Sequence, residues 1–244
     1  MEIAIFVINL ESSKERKNFM LKQLKGMQFE LIKAIDGNLL QLDQLTDKVE
    51  LGKFIDSDNQ SRFLSKFEIG CALSHIGIYH KIINNKIPYT LILEDDVIIN
   101  PKFFKQVPQI MKQLETYDMI NFLTDAHERR VGKFLKFPYK MTELKYSVNR
   151  SSAYMITLRA AREILENVYP INKPIDDTVY LGLNVAGVHP ALFNLKRFES
   201  TINIGQINPS PSHFFRKRPS FKVLFSGGGL WFRPWNIMFN KKQN

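Results

Sequence analysis

Short apolar runs alternate with amphipathic stretches along most of the chain. The runs suit strands buried on both faces, and they lie at residues 3–8, 29–34, 89–93, 119–123 and 153–158. The amphipathic stretches have apolar residues near helical spacing, and they lie at residues 14–24, 68–84, 101–114 and 159–169. Strand, helix and strand follow one another within the first forty residues, which favours an α/β sheet that begins with parallel strands.

Three other stretches are less regular. Residues 39–66 are mixed and polar, so no element is predicted there, and residues 125–146 suggest an irregular or hairpin segment. Beyond Pro170 the chain is punctuated by Pro, Gly and Asn. The fold class predicted is α/β, with a Rossmann-like mixed sheet and helices on both faces.

The composition is that of an ordinary soluble domain. The chain has 244 residues, with 44% hydrophobic and 24% charged residues, enough for one large domain with its own core. The single cysteine, Cys71, excludes an internal disulfide and a four-cysteine zinc site, and favours a reducing compartment. Neither a signal peptide nor a membrane-spanning helix is expected, so a cytosolic location is predicted.

The net charge of +10 is unevenly distributed. Up to Leu195 there are 25 basic and 23 acidic residues, whereas from Lys196 onward there are nine basic residues and one acidic residue. The sequence therefore predicts a nearly neutral domain at residues 1–200 and a basic, aromatic segment at residues 201–244.

Three consecutive carboxylates, Glu94, Asp95 and Asp96, follow the apolar strand at residues 89–93. Like charges this close repel one another unless they are solvated, protonated or bound to a cation. Strand alternation places Glu94 and Asp96 on one side and Asp95 on the other. Ligands of α/β sheets bind beyond the carboxyl ends of strands, and oxygen ligands suit Mg²⁺ or Mn²⁺. The alternatives are an exposed acidic turn or carboxylates at a helix N-terminus.

Two other types of chemistry receive less support. A P-loop nucleotidase needs a Gly-x-x-x-x-Gly-Lys-Ser/Thr motif, which the sequence lacks. Cys71 and His75 are one helical turn apart, as in a nucleophile and its base, but a cysteine on an apolar helix face is usually packing. His75 alone is equally compatible with a buried core histidine.

Several short motifs follow one another in a particular order. They are Phe6-Val7-Ile8-Asn9-Leu10 with Ser13 and Arg16, Ala34-Ile35-Asp36-Gly37, Glu68-Ile69-Gly70-Cys71-Ala72-Leu73-Ser74-His75, Leu91-Ile92-Leu93-Glu94-Asp95-Asp96, Ser151-Ser152-Ala153-Tyr154 and Pro174-Ile175-Asp176-Asp177. The series resembles glycosyltransferase family 25, whose members extend bacterial lipooligosaccharide and whose animal relatives glycosylate collagen. The resemblance covers roughly residues 1–180.

The resemblance implies a GT-A-like fold and an inverting, metal-dependent transfer of galactose or glucose from a UDP-sugar. Asp96 and Glu94 are then the metal ligands, with Mn²⁺ or Mg²⁺ stabilising the diphosphate leaving group. The implied donor-binding residues are Asn9, Leu10, Ser13, Arg16, Asp36, Gly37, Ser74, His75, Glu94, Asp95, Ser152 and Tyr154. Arg16 and Tyr154 also have plain structural interpretations, as a solvated helix arginine and a core residue. His189 and His213 are possible further metal ligands.

Inversion requires a base that takes the proton of the acceptor hydroxyl. Asp176 and Asp177 are the candidates, because paired carboxylates raise one pKa and because a loop after Pro174 would present them. The alternative is that the two residues simply begin a helix.

Basic and aromatic residues are interleaved at residues 214–244, where both tryptophans lie. This pattern suits an anionic membrane surface, which favours a peripheral location on the cytoplasmic face of the inner membrane and a lipid-linked acceptor. A segment that packs on its own domain or on a partner is the alternative. Two rival functions remain, a non-catalytic nucleotide- or glycan-binding module and a basic nucleic-acid-binding protein, although no nucleic-acid motif is present.

Overall fold

The structure is a computed structural model, and it describes residues 3–55, 60–123, 135–136, 140–144, 151–178, 182–189 and 191–198. The helices are α1 (Lys14–Gln23), α2 (Lys66–Asn84), α3 (Phe103–Gln113), α4 (Leu158–Asn167) and α5 (Ile175–Thr178). The strands are β1 (Ala4–Asn9), β2 (Glu30–Lys33), β3 (Lys53–Ile55), β4 (Ser61–Phe63), β5 (Tyr89–Glu94), β6 (Val97–Ile98), β7 (Met119–Asn121), β8 (Leu135–Lys136), β9 (Lys140–Leu144), β10 (Ala153–Thr157), β11 (Val185–His189) and β12 (Asn194–Leu195).

Eight strands form one mixed sheet in the order β2-β1-β5-β10-β7-β11-β9-β8. Strands β2, β1 and β5 are parallel to one another, and β10 is antiparallel to both of its neighbours, β5 and β7. Two smaller antiparallel pairs, β3 with β4 and β6 with β12, lie outside this sheet.

The central strands are apolar throughout because both of their faces are covered. Phe6 of β1 and Ile92 of β5 belong to the core that includes Ile69 and Ile76 of α2 and Ile164 of α4. Alternate residues of the same strands pack in a second core, with Met20 of α1 and Ile110 of α3. The mixed α/β sheet with helices on both faces is therefore confirmed.

The sheet order also places the candidate site. Ile8 of β1 is paired with Glu94 of β5, so the ends of two parallel strands lie side by side. Because β10 is antiparallel to β5, its start lies next to the same end, and the Glu94 backbone N–H donates to the Ser152 carbonyl at 2.8 Å. Three segments distant in sequence therefore meet at one edge of the sheet.

Several elements differ from the sequence prediction. Residues 39–66 contain a 3₁₀ turn at Leu42–Leu45 and the β3–β4 hairpin, and β11 lies inside the main sheet although no strand was predicted there. Asp176 and Asp177 lie in the helical turn α5, so the predicted loop conformation is wrong, while their proposed role as a base stays a prediction. A hairpin between residues 125 and 146 is confirmed for the antiparallel pair β8–β9.

The α2 helix begins two residues before its predicted start because a capping box fixes it. The Ser65 side chain accepts from the Glu68 backbone N–H, and the Glu68 carboxylate accepts from the Ser65 backbone N–H at 2.8 Å. The Ser-x-x-Glu spacing that produces this cap is visible in the sequence.

The basic segment predicted at residues 201–244 and its boundary lie outside the described residues, as does His213. Among the described residues, none of the helices has both the length and the apolar character needed to span a membrane.

Candidate functional site

Glu94, the last residue of β5, faces the α2 helix. Its carboxylate accepts a hydrogen bond from Ser152 Oγ at 2.9 Å and lies 3.4 Å from Nε2 of His75. Burial acts to raise the pKa of Glu94, but the hydrogen bond and charge of His75, with the bond from Ser152, hold this pKa below its usual range. Glu94 is therefore a half-buried carboxylate whose ionised form is favoured by its partners.

Asp95 is bound by two side chains from the first strand–helix unit. Asn9 Nδ2 donates to its carboxylate at 2.7 Å and Arg16 Nη1 donates at 3.0 Å. Burial raises the pKa of Asp95, and the bonds from Arg16 and Asn9 oppose that rise. Arg16 is thus an ion-pair partner rather than a solvated helix arginine, and its side chain is only 17% exposed.

Asp96 differs from its two neighbours. Its Oδ2 lies 3.6 Å from Arg16, whereas its Oδ1 is buried and has no hydrogen-bond partner among the described residues. Burial, together with the charges of Glu94 and Asp95, raises the pKa of Asp96 to about 7 against the opposing charge of Arg16. The predicted alternation fails here because β5 ends at Glu94 and a turn carries both aspartates toward Arg16.

A buried hydrogen-bond chain supports the His75 side of the site. Nδ1 of His75 lies 2.8 Å from the Tyr154 hydroxyl, which lies 2.6 Å from the Tyr79 hydroxyl. All three side chains are fully buried. Tyr154 is therefore a core residue, as its alternative interpretation held, and it reaches the site through His75.

Cys71 lies one helical turn before His75 on α2. Burial raises the pKa of the Cys71 thiol well above its usual range, and the nearby charges of Glu94 and Asp176 raise it further. A thiol that resists ionisation is a poor nucleophile, which argues against the Cys–His pair considered from the sequence.

The α2 helix lies unusually close to the loop after β2. A Cβ on Gly37 would lie 2.6 Å from the Lys66 carbonyl oxygen, and a Cβ on Gly70 would lie 2.6 Å from the Ile35 carbonyl oxygen. Ser74 joins the same surfaces, because its hydroxyl accepts from the Ile35 N–H at 2.8 Å and donates to the Gly70 carbonyl at 2.7 Å. Gly37, Gly70 and Ser74 therefore set the position of the loop.

Asp176 on α5 is held by neutral donors. Its Oδ1 accepts from the Ser151 backbone N–H at 3.0 Å and from the Ser151 hydroxyl. Burial, with the charge of Glu94, raises the pKa of Asp176 to about 6 against the hydrogen bonds from Ser151. Asp177 follows, half-buried, and its backbone N–H donates to the Pro174 carbonyl at 3.0 Å.

A cavity of about 290 Å³, here called the β5 pocket, lies between the start of α1, the loop after β2, α2 and the end of β5. Nine of the predicted donor-binding residues line it: Leu10, Ser13, Arg16, Asp36, Gly37, Ser74, His75, Glu94 and Asp95. Asn9, Ser152 and Tyr154 do not line it, but each is bonded to a residue that does.

The two predicted metal ligands, Asp96 and Glu94, do not both belong to a group of three neighbouring ligands among the described residues. Among the described residues, the group of three potential ligands whose atoms lie within 4.8 Å of one another is Cys71, His75 and Glu94, without Asp96 or His189. The residues nevertheless fit a cation at Asp96, because one guanidinium faces both Asp95 and Asp96 and the buried Oδ1 of Asp96 lacks a protein donor in the described part of the chain.

Sequence reasoning missed two contributors to the site. Ser151 was not assigned a role, and no local signal connects it with Asp176, which lies 25 residues further along. Cys71 was considered only as a nucleophile, although its spacing of four residues from His75 on one helix is also that of a pair of metal ligands.

Comparison with known proteins gives a consistent result over most of the chain. A family model described as glycosyltransferase family 25 (LPS biosynthesis protein) matches residues 2–179. A glycosyltransferase 25 family member of Aedes aegypti is 30% identical over 210 residues, covering 82% of this chain and 32% of that protein. Procollagen galactosyltransferase 2 of Homo sapiens is 28% identical over 208 residues, covering 80% of this chain and 32% of that protein.

A third relative is described differently. The probable inactive glycosyltransferase 25 family member 3 of Bos taurus is 28% identical over 185 residues, covering 71% of this chain and 30% of that protein. The chain thus spans about a third of the length of these curated relatives.

Proposed function

The chain belongs to glycosyltransferase family 25, and from this premise we propose that it transfers galactose or glucose from a UDP-sugar to a lipooligosaccharide acceptor, with inversion at the anomeric carbon and with Mn²⁺ or Mg²⁺. The observation that carries the proposal is the β5 pocket, which is lined by the start of a helix, by Arg16 and by the carboxylates of Glu94 and Asp95. Arg16 also lies 3.6 Å from the adjacent Asp96.

The start of α1 suits the diphosphate of the donor. Ser12, Ser13 and Arg16 line the pocket at this end of the helix, and the first N–H groups of a helix attract anions. Arg16 adds positive charge at the same place. On the opposite wall Asp36 and Gly37 present a loop fixed by close packing on α2, which suits recognition of the nucleoside.

Asp96 is the proposed principal ligand of the cation, with Glu94 beside it. Asp95 is already bound to Asn9 and Arg16, whereas Asp96 has a buried oxygen that lacks a hydrogen-bond partner in the described part of the chain. When bound, the cation supplies Lewis-acid stabilisation of the negative charge on the departing diphosphate. Arg16 keeps Asp95 in place and partly neutralises the carboxylates.

Asp176 is the proposed base, in preference to Asp177. The pKa of Asp176, raised by burial to about 6, is high enough for it to accept a proton and low enough for it to be ionised at neutral pH. The Ser151 N–H and hydroxyl orient the carboxylate. Its role is to take the proton of the acceptor hydroxyl as the new glycosidic bond forms.

The acceptor and location are proposed from the sequence. We propose that residues 214–244 hold the enzyme on the anionic cytoplasmic face of the inner membrane, near a lipid-linked oligosaccharide. Removal of residues 214–244 should reduce sedimentation with phosphatidylglycerol vesicles but not thermal stability. Equal sedimentation of the full and shortened chains would exclude this role.

Ligand binding and sugar transfer test the proposal in two steps. UDP with Mn²⁺ should raise the melting temperature of the chain, and excess EDTA should remove most of that increase. A screen of radiolabelled UDP-sugars with a lipooligosaccharide acceptor should then give a labelled product. Failure of UDP to stabilise the chain, with or without Mn²⁺, would contradict the proposal.

A relative is described as probably inactive, which favours a second candidate function without catalysis. A non-catalytic module that binds a nucleotide or glycan would be stabilised by its ligand in the first step but would yield no labelled product in the second step. The pair of assays therefore separates binding from transfer.

A further inference from the structure

Three potential metal ligands of different chemistry meet at the wall of the β5 pocket. Cys71 and His75 lie four residues apart on α2, and Glu94 ends the adjacent strand β5. One ligand atom from each lies within 4.8 Å of the other two. Residues four apart on a helix present their side chains on one face, the arrangement by which helices commonly supply two metal ligands.

The separation of the ligand atoms is close to that of a zinc site. His75 Nε2 and Glu94 Oε1 are 3.4 Å apart. In tetrahedral zinc sites with bonds of about 2.0–2.1 Å to nitrogen and oxygen, such a pair is separated by about 3.3 Å. The longer bond to sulfur, about 2.3 Å, places the thiolate about 3.6 Å from the other two ligands. The ligand atoms of the three residues lie within 4.8 Å of one another, so the thiolate would have to approach the other two by up to about 1.2 Å.

The surroundings of His75 are those of an oriented metal ligand. Its other ring nitrogen, Nδ1, lies 2.8 Å from the Tyr154 hydroxyl, which is itself bonded to Tyr79. A cation at Nε2 would replace the hydrogen bond between His75 and Glu94, and the Nδ1–H would then donate to Tyr154. Histidines that bind metals usually donate the second ring N–H in this way, which fixes the ring.

We propose that Cys71, His75 and Glu94 form a site for a thiophilic divalent cation, Zn²⁺, with three protein ligands and a fourth position open to the β5 pocket. The cation displaces the proton of the Cys71 thiol into solvent. The resulting thiolate and the imidazole favour Zn²⁺ over Mn²⁺ or Mg²⁺, which prefer oxygen ligands. The site goes beyond the proposed function and differs from the oxygen site at Asp96, which does not belong to the cluster.

The two sites share Glu94, so their cations compete. This consequence rests on the proposed function: Zn²⁺ would draw the Glu94 carboxylate toward α2 and occupy part of the pocket wall, and transfer would be inhibited. Binding of Zn²⁺ itself does not depend on any activity of the chain.

Co²⁺ is the spectroscopic probe for this site. The untagged, metal-free chain titrated with Co²⁺ should give a thiolate-to-cobalt charge-transfer absorption in the near ultraviolet that saturates at one equivalent, and Zn²⁺ should displace it. Because Cys71 is the single cysteine of the chain, this absorption reports ligation by Cys71 alone. Its absence from the unmodified chain would overturn the proposal without recourse to any variant.

Two variants locate the site. Cys71→Ser should lose the absorption and bind Zn²⁺ at least about 100-fold more weakly in equilibrium dialysis. Asp96→Asn is the control and should retain both. Equal Zn²⁺ affinity in Cys71→Ser and the unmodified chain, or loss of the absorption in Asp96→Asn, would contradict the proposal. Failure of the chain to bind UDP, by contrast, would affect only the proposed function.

Discussion

The chain contains two regions of consecutive carboxylates near the β5 pocket, and they are stabilised differently. At residues 94–96 the partners include a histidine and an arginine, His75 and Arg16. At residues 176–177 the partner of the half-buried carboxylate Asp176 is the neutral residue Ser151. Both regions are partly shielded from water, and they differ in the charge of their partners.

The consequence is a graded set of pKa values rather than one acidic cluster. The pKa of Glu94 is held below its usual range, chiefly by His75 against the effect of burial, whereas burial raises the pKa of Asp176 to about 6. Asp96 shows that the first region is not uniform, because its pKa rises to about 7 although Arg16 is nearby. Burial acts to raise the pKa of each carboxylate, and the charges and hydrogen-bond donors around it decide how much of that rise remains.

The largest effect is expected from Asp96→Asn, which removes the proposed principal cation ligand. Transfer should fall by about 10³-fold, since a cation on the leaving group is worth several kcal/mol. Stabilisation of the chain by Mn²⁺, followed by thermal melting, should disappear. Asp43→Asn, at an exposed aspartate, is the matched control and should change neither quantity. Full Mn²⁺ stabilisation of Asp96→Asn would remove Asp96 from the cation site.

Asp176→Asn should lower kcat/KM by about 10²-fold, because the proton of the acceptor would lose its base. The rising limb of the pH profile, expected near pH 6 from the pKa of Asp176, should disappear with it. Asp177→Asn is the control and should keep this limb. If Asp177→Asn loses the limb and Asp176→Asn keeps it, the assignment of the base is reversed.

The raised pKa of Asp176 also predicts the direction in which the stability of the fold changes with pH. Between the unfolded value of about 3.9 and the folded value of about 6, the folded state binds more protons at Asp176, so its effect lowers stability as pH rises. Asp176→Asn should therefore gain melting temperature relative to the unmodified chain between pH 4.5 and pH 7.5. A lower melting temperature of Asp176→Asn over this pH range would contradict the raised pKa of Asp176.

A pair of glycine variants tests how α2 packs on the loop after β2, which forms part of the β5 pocket. Gly70→Ala places a Cβ 2.6 Å from the Ile35 carbonyl oxygen and should destabilise the fold by about 1–3 kcal/mol. Gly77→Ala lies on the same helix with open space around it, and should be neutral or stabilising by up to about 1 kcal/mol. Urea unfolding measures both, and equal stabilities would show that α2 does not depend on this contact.

The smallest effect is expected from Ser151→Ala, which removes one of the two donors to Asp176 and keeps the backbone N–H. Loss of one hydrogen bond to a charged group should move the limb of the pH profile upward by about one unit. Ser152→Ala, which removes a donor to Glu94 instead, should leave that limb in place. If both variants moved the limb by the same amount, the carboxylates at residues 94–96 and 176–177 would titrate together rather than independently.

Local pattern accounts for the elements that the sequence predicted well. The apolar runs correspond to β1, β2, β5, β7 and β10, and the amphipathic stretches correspond to α1 to α4. Burial on one or both faces of an element produces this periodicity in the sequence. The β11 strand was missed because Val185–His189 is short and includes a glycine, and it becomes a strand between β7 and β9.

The sequence by itself determined the order of these elements, the carboxylates after β5 and the family to which the chain belongs. Only the tertiary structure decided what each carboxylate contacts. Arg16 and Asp95 are 79 residues apart, and His75 and Tyr154 are also 79 apart, yet each pair is in contact because β1, β5 and β10 are neighbours in the sheet. Partners at such distances leave no periodic signal in a single sequence, whereas burial does.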